Sequence, residues 1–445
     1  MTDRGNLLGW SGAAAIAAAL SLAGCQPVAG SATAAGAPTD IALIERTMQE
    51  VQRSYVEPVK PGQMVTGALK GMLTRLDPHS DYMDQREFVD LMATTSGQFG
   101  GVGIEISVDD GVPQVLSAIE GTPAAAAGVH PGDRIVRADG TALVGMDIEE
   151  VVRRLRGAPG TVVTITIART GRQPFELKIA RAIIKVESVK SAMKPDKIGY
   201  VRISTFDENT SATLRSALTK LHQQAGGKLN GFVLDLRNDA GGLLDAAVEA
   251  AADFLDSGTV VTTRGRDPDE NRVYEAAPNG DLVRGTPIVV LINGASASAS
   301  EIVAGALQDN RRATLMGTRS FGKGSVQSII PIEGHGALRL TTALYYTPSG
   351  RSIQGHGITP EVVVSLPKEQ QVANALVTYE SDLYGSLKPT GALAPTNKVK
   401  PVDAAKVATP AVGDHPIVPS IIGTAQDVQL NAAIDYLQTR RHAAR

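Results

Sequence analysis

The chain has 445 residues, 43% of them hydrophobic and 20% charged, with a net charge of −3 and a single cysteine. At about 100–200 residues per domain this predicts two to four globular units. The near-neutral balance, without a basic run or aromatic–basic patch, argues against nucleic acid as a partner, and one cysteine excludes an intramolecular disulfide.

Residues 7–23 form an apolar stretch rich in alanine and broken by Gly9, Ser11 and Gly12. It is short and loose for a permanent transmembrane helix and suits a signal peptide. It ends in Leu22-Ala23-Gly24-Cys25, which is similar to the bacterial lipoprotein cleavage motif, with Cys25 as the lipidated residue. An ordinary signal peptide or a buried thiol is the plainer alternative. Acyl chains on Cys25 imply an exported protein tethered to a membrane of the bacterial cell envelope, facing the periplasm. Gln26, rather than aspartate, after the cysteine points toward the outer membrane. The expected order is a leader at 1–24, a tether at 25–40, a helical region at 41–95, a β-rich module at 96–186, a β/α core at 187–365 and a C-terminal region at 366–445.

Ile44, Met48 and Val51 have helical spacing, and residues 64–76 give a second helix ended by Asp77-Pro78. Asp77, His79 and Asp81 alternate, which fits a turn more simply than a metal site. Short β-type runs follow at 102–108, 113–119, 134–138, 161–168 and 175–179, with one amphipathic helix at 147–156. From 198 to 364 the pattern becomes β/α, with buried strands at 231–236, 287–292 and 313–316 and helices at 243–255 and 298–307. Strands at 325–330 and 337–346 follow. Residues 388–419 read as a Pro/Ala-rich linker, and 427–440 as a closing helix with Leu430, Ala433 and Leu437 on one face.

Loops at 237–242 and 293–298 fall at the carboxyl ends of strands, where such folds place functional groups. Ser298, with Glu301 three residues on, fits a helix capping box; it also occupies the place of a nucleophile at a strand-to-helix turn. In that case the Ala299 N–H faces a developing oxyanion. Lys323 lies between Gly322 and Gly324. Gly317 to Lys323 has phosphate-loop spacing, but Gly324 stands where Ser or Thr is needed and a strand follows instead of a helix. Burial lowers a lysine pKa and equips it as a base, and Gln327 is placed to hold its amine. Gly241-Gly242 frees backbone N–H groups for an anion. His335 and His356, each between glycines, are the rival bases for a triad.

Taken together the chain resembles the carboxyl-terminal processing peptidases, or tail-specific proteases. The likeness rests on Leu76-Asp77-Pro78-His79-Ser80, Asp235-Leu236-Arg237-Asn238, Ser296-Ala297-Ser298-Ala299-Ser300-Glu301, Phe321-Gly322-Lys323-Gly324 with Gln327, and Tyr346-Thr347-Pro348-Ser349-Gly350-Arg351. It implies an α+β multidomain protein: a crotonase-like α/β peptidase core, an inserted PDZ domain and an N-terminal helical segment. It implies Ser298 as nucleophile, Lys323 as general base, Gln327 as its orienting residue, and oxyanion donors at Ala299 and Gly241 or Gly242. Neither metal nor organic cofactor is implied. Gly101, Val102, Gly103, Ile104 and Ile106 become the site for a substrate C-terminus, added as a strand beside the helix at 147–156. Asp239 and Ala240 stand where the family often has Asn and Pro, and Glu361 where it usually has Asp. A silent PDZ scaffold, an acyl-CoA enzyme of the same fold and a partner-activated zymogen are the alternatives. An adaptor or further copies of the chain are candidate partners. The lipoprotein reading predicts that Cys25→Ala moves the protein from the membrane to the soluble fraction; fractionation and mass spectrometry of the mature N-terminus check it.

Overall fold

The structure is a computed structural model; it describes residues 40–109, 111–119, 121–276, 280–372, 378–389, 391 and 415–443. The expected leader, Cys25, most of the tether and most of the Pro/Ala-rich linker lie outside the described residues. The chain divides into two units, residues 1–64 and 65–445. The first contains helix Asp40–Ser54, and helix Pro61–Leu73 begins at its end.

Within the second unit, strands Ile104–Asp109, Val112–Ala118, Arg134–Ala138, Val162–Ala168 and Phe175–Ala180 form one antiparallel sheet in that order. Its strand Val162–Ala168 alternates inward Val163, Ile165 and Ile167 with outward residues, the period-2 pattern of a half-buried strand. These side chains pack with Val115, Ile135, Leu143 and with Val151 and Leu155 from helix Ile148–Leu155. A two-stranded ribbon, Gln98–Gly101 against Ala182–Lys185, joins the chain entering and leaving this module. Gly100 is required there: a Cβ would stand 2.1 Å from the Gly157 carbonyl oxygen.

The core contains a six-stranded sheet in the order Val189–Lys194, Ile198–Ile203, Gly231–Asp235, Ile288–Ile292, Ala313–Gly317, Val362–Val363. The first pair is antiparallel and the rest are parallel. Parallel strands are covered on both faces, hence their unbroken apolar runs. Phe232, Leu234, Val290, Ile292 and Leu315 meet the helices Thr210–Gln224, Leu244–Ala252 and Ala299–Asp309. Val233, Val289, Leu291 and Met316 meet Leu430, Ala433 and Leu437 of helix Val428–Ala443. A second, antiparallel sheet carries Asp81–Met83, Gly336–Tyr346, Thr259–Gly265 and Arg272–Glu275, with Ser325–Ile332 also on Gly336–Tyr346. This is the α+β, multidomain architecture expected. Helix Thr210–Gln224 carries no short motif, although Leu214, Leu218 and Leu221 have helical spacing. Helix Gln85–Thr95 is a further element beyond those expected; Asp84 caps it in a reciprocal box with Glu87.

The closing helix is locked by charge as well as by apolar contact. Arg237 is wholly buried and spans two carboxylates, Asp235 at 2.6 and 2.9 Å and Asp427 at 2.6 and 2.9 Å, with Gln429 at 3.0 Å. Burial alone pushes the Asp235 carboxyl up, but the Arg237 charge and its bonds outweigh this and hold it below the usual range. Asp427 also accepts from the Leu430 N–H and so caps the helix it anchors. Removing the guanidinium strands two buried carboxylates. Arg237→Leu is therefore predicted to destabilise the core by about 3–5 kcal/mol, read as a lower urea midpoint.

Candidate active site

Three loops leave the carboxyl ends of adjacent parallel strands: 236–243 after Gly231–Asp235, 293–298 after Ile288–Ile292 and 318–324 after Ala313–Gly317. The first two are zipped together by a reciprocal amide pair. Asn238 N–H donates to Asn293 Oδ1 at 3.0 Å, and Asn293 Nδ2 donates to Asn238 Oδ1 at 2.7 Å. The Ser296 hydroxyl donates to the Leu236 carbonyl at 2.8 Å, and Ala297 N–H to the Asp239 carbonyl at 2.9 Å. The third loop joins them through Phe321 N–H to the Ser296 carbonyl at 3.0 Å.

Ser298 sits at the start of helix Ala299–Asp309 with φ 55° and ψ −111°. That backbone is strained for a residue with a Cβ, of the order of 1–3 kcal/mol, and such strain belongs to sharp strand-to-helix elbows. The cap reading holds only in part. Glu301 accepts the Ser298 N–H at 2.8 Å, but the Ser298 hydroxyl makes no cap bond to the helix. It lies instead beside the buried Tyr345 phenol, whose pKa burial raises and this hydroxyl partly lowers.

The Glu301 carboxylate, fully buried, does more than cap. Its Oε2 accepts from Ser298 N–H and, at 2.9 Å, from Lys323 N–H; its Oε1 accepts from the Ser320 hydroxyl at 2.5 Å and Gly322 N–H at 2.8 Å. One side chain thus binds the backbone of both the serine and the lysine. The glycine loop with phosphate-loop spacing turns its N–H groups onto this internal anion. Burial pushes Glu301 up, to about 7, against the pull of the four donors.

Lys323 is lowered below the ordinary lysine value, first by burial and then by the Arg339 charge, with Glu380, Glu301 and Asp77 opposing. Its Nζ makes no hydrogen bond among the described residues, to Ser298 or to Gln327. The expected Lys323–Gln327 bond is not formed; Gln327 Nε2 donates to the Ser325 and Thr341 hydroxyls at 3.0 and 3.1 Å. Thr341 in turn donates to Asp77, which also accepts from His79 N–H and from Ser80. The alternating Asp77 and His79 therefore build a turn that braces Thr341 on strand Gly336–Tyr346, the neighbour of the strand that carries Gln327. His79 Nε2 pairs with Glu380 at 2.8 Å, and Glu380 N–H donates to the Phe321 carbonyl. Glu380 comes from the C-terminal region and had no sequence signal. Neither rival histidine bonds to the serine: His335 closes a hairpin and His356 Nδ1 faces the Gln354 carbonyl at 3.1 Å.

The glycine turn approaches the elbow closely. A Cβ on Gly241 would lie 2.9 Å from Ala299 N and 3.0 Å from Ser298 Cβ. Ala299 N–H and Gly242 N–H have no acceptor among the described residues. Gly241 N–H is taken by Asp239 Oδ1 at 2.8 Å. In the β-rich module Gly101 pairs with Ala182, and Val102 is in the core. Gly103 has φ 82°, and its Cβ would overlap Thr122 at 2.3 Å. The Val102 and Gly103 N–H groups have no acceptor among the described residues, and Ile104 and Ile106 pack on the edge of the module core. The Tyr346–Arg351 motif is explained by packing: the buried Asp309 carboxylate accepts from Ser349 and Arg351. Glu361 accepts from Leu315 N–H at 2.8 Å and so serves the sheet edge.

A parallel sheet with a strained serine elbow and a glycine turn beside it fits an acyl-transfer enzyme, and comparison with known proteins gives the family. Residues 197–364 match the model of peptidase family S41, 114–169 a PDZ domain, and 17–87 the N-terminal domain of the activating protease CtpB. The chain is 49% identical over 343 residues to a carboxy-terminal-processing protease of Bartonella bacilliformis, covering 76% of this chain and 79% of that one. It is 34% identical to the carboxy-terminal processing protease CtpA of Bacillus subtilis, covering 80% and 76%. A solved structure of the photosystem II D1 C-terminal processing protease is 32% identical, covering 72% of this chain and 92% of that one, with a TM-score of 0.45. The chain belongs to peptidase family S41, the carboxy-terminal processing proteases, and is a serine-type peptidase with a PDZ domain. Glu301→Gln places an NH2 donor against groups that are themselves donors. It is predicted to lower kcat by roughly 10²-fold or more and stability by about 1–3 kcal/mol, measured by protein-substrate turnover and thermal unfolding.

Proposed function

We propose that the chain is an endopeptidase that takes hold of free protein C-termini with its PDZ domain and cuts upstream through a Ser298–Lys323 dyad. The observation that carries this reading is the Glu301 carboxylate, which binds the N–H groups of both residues and leaves the Ser298 hydroxyl uncapped. Neutral Lys323 Nζ takes the proton of Ser298 Oγ as the oxygen attacks the peptide carbonyl. The oxyanion collects N–H bonds from Ala299 and the Gly241-Gly242 turn. The lysine then passes its proton to the leaving amine, leaving an ester on Ser298, and water attacks the ester with Lys323 as base. Burial serves this role because it penalises the charged lysine. Gln327 positions the lysine through its strand.

The free Lys323 amine and the occupied Gln327 amide fit a resting arrangement, since such bonds often tighten only when substrate is bound. A physical route for a PDZ-linked change exists. Asn209 Nδ2 donates to the Ser96 carbonyl and Glu208 N–H to the Thr95 carbonyl at the module's neck. In the same segment Phe206 N–H donates to the Gly241 carbonyl, and Leu243 N–H to the Phe206 carbonyl. A tail carboxylate bound by Val102 and Gly103 N–H groups, its strand beside Ile104 and Ile106, acts at the other end of that route. Lipidation at Cys25 places the enzyme at a membrane of the cell envelope, where exported proteins are its substrates.

Purified Ser298→Ala is expected to lose measurable cleavage of an unfolded protein. Lys323→Arg keeps the charge but cannot act as a base, so it is expected to fall to the same level. A substrate with an amidated C-terminus is expected to show a raised KM in the wild type. Wild-type turnover by either variant refutes the dyad; indifference to amidation refutes tail recognition.

A further inference from the structure

Asp239 is wholly buried in the turn that faces the nucleophile, two residues before Gly241. Its Oδ1 holds the Gly241 N–H at 2.8 Å, while its Oδ2 is buried with no hydrogen-bond partner among the described residues. Among the described residues no cation lies within ion-pair distance. Arg202 acts on it only through space. The Arg237 guanidinium is committed to Asp235, Asp427 and Gln429. From the elbow helix, the Ser300 hydroxyl donates to the Asp239 carbonyl and, with the Gly241 N–H, also favours the ionised carboxyl against burial, while Glu301 is committed to its four donors. Lys323 Nζ, on the third loop, makes no hydrogen bond among the described residues.

We propose that Asp239 is a positioning residue for the oxyanion turn that must be uncharged for the peptidase reaction: its ionisation locks the Gly241 N–H and sets a negative charge against the developing oxyanion. This rests on the reading of Ser298 as nucleophile with the Gly241-Gly242 turn as oxyanion donor. The ionised carboxylate makes a charge-assisted bond to Gly241 N–H and withdraws that donor. The position a Gly241 Cβ would take is 2.9 Å from Ala299 N, so the glycine whose N–H the Asp239 carboxylate holds lies against the other proposed oxyanion donor. In a dry site such charges repel far more than in water. The protonated carboxyl carries no charge and is a weaker acceptor, so the turn can give its N–H to the oxyanion. Burial favours that neutral form and moves its titration to about 7.

The two ionisations then oppose each other. Lys323 must lose its proton and Asp239 must keep its own, so kcat/KM against pH is a bell whose alkaline limb belongs to Asp239. The test compares wild type and Asp239→Asn over pH 5.5–9 with one unfolded protein substrate, and follows thermal unfolding from pH 4 to 9. The asparagine keeps an acceptor for Gly241 but does not titrate. The expected result is a ratio of variant to wild-type kcat that rises roughly tenfold per pH unit above the Asp239 pKa, with KM little changed. Because the folded pKa is raised, stability from the neutral carboxyl is complete below about 3.8 and is lost as pH rises to about 7. The Tm of the variant is therefore expected to gain on that of wild type across this window. A ratio that does not vary with pH, or a variant that differs from wild type only in KM, overturns the proposal. If the amide prevents folding, Asp239→Ala gives the same comparison. Ser298→Ala separates the two readings: activity in that variant sinks the dyad, whereas a dead Ser298→Ala with a flat Asp239→Asn ratio overturns the role of Asp239 alone.

Discussion

The arrangement of the candidate active site depends on one buried carboxylate. Glu301 accepts four hydrogen bonds, two per oxygen, from Ser298, Ser320, Gly322 and Lys323. A carboxylate taken from water costs several kcal/mol unless its lone pairs are filled, so the fold is held to the one geometry that fills them. That geometry fixes the strained backbone of Ser298 on one side and the glycine loop of Lys323 on the other. It leaves both side-chain termini unbonded to it. The anchor therefore sets where the two groups originate without consuming either.

Around this anchor the site is layered by polar bonds between loops rather than by apolar packing. Asn238 and Asn293 zip two loops. Asn238 also binds both backbone groups of Ile417, while Arg237 beside it binds Asp427. The C-terminal region is thereby part of the core, not an appendage, and Glu380 extends the same logic to the lysine loop and to His79. Polar satisfaction is demanding in a dry interior, which explains why segments distant in the chain converge on these three loops.

The β-rich module joins the core through its ribbon and the segment 204–209. The residues that bind the Thr95 and Ser96 carbonyls lie within a few positions of Phe206, whose backbone is paired with the turn at Gly241 to Leu243. A Cβ on Gly242 would stand 2.0 Å from the Phe206 carbonyl oxygen. The contact is so close that a shift of one segment displaces the other.

The sequence by itself determined the elements and their company. Period-2 and buried apolar runs marked the module's strands and the parallel sheet, because burial on one or two faces writes directly into side-chain type. The serine after a buried strand, the lysine between glycines, the glycine pair and Gln327 were legible as short motifs. Glu301 was visible, but only as the local partner of a helix cap. Tertiary structure alone decided that it also binds a loop twenty residues on, that Gln327 faces Thr341, that Glu380 sits under the lysine loop and that Asp239 holds the Gly241 N–H. Each of these is a choice of partner between segments far apart in the chain or a choice of which N–H a turn presents. Such choices are made by the burial and hydrogen-bond demands of the packed state, which local residue pattern does not encode.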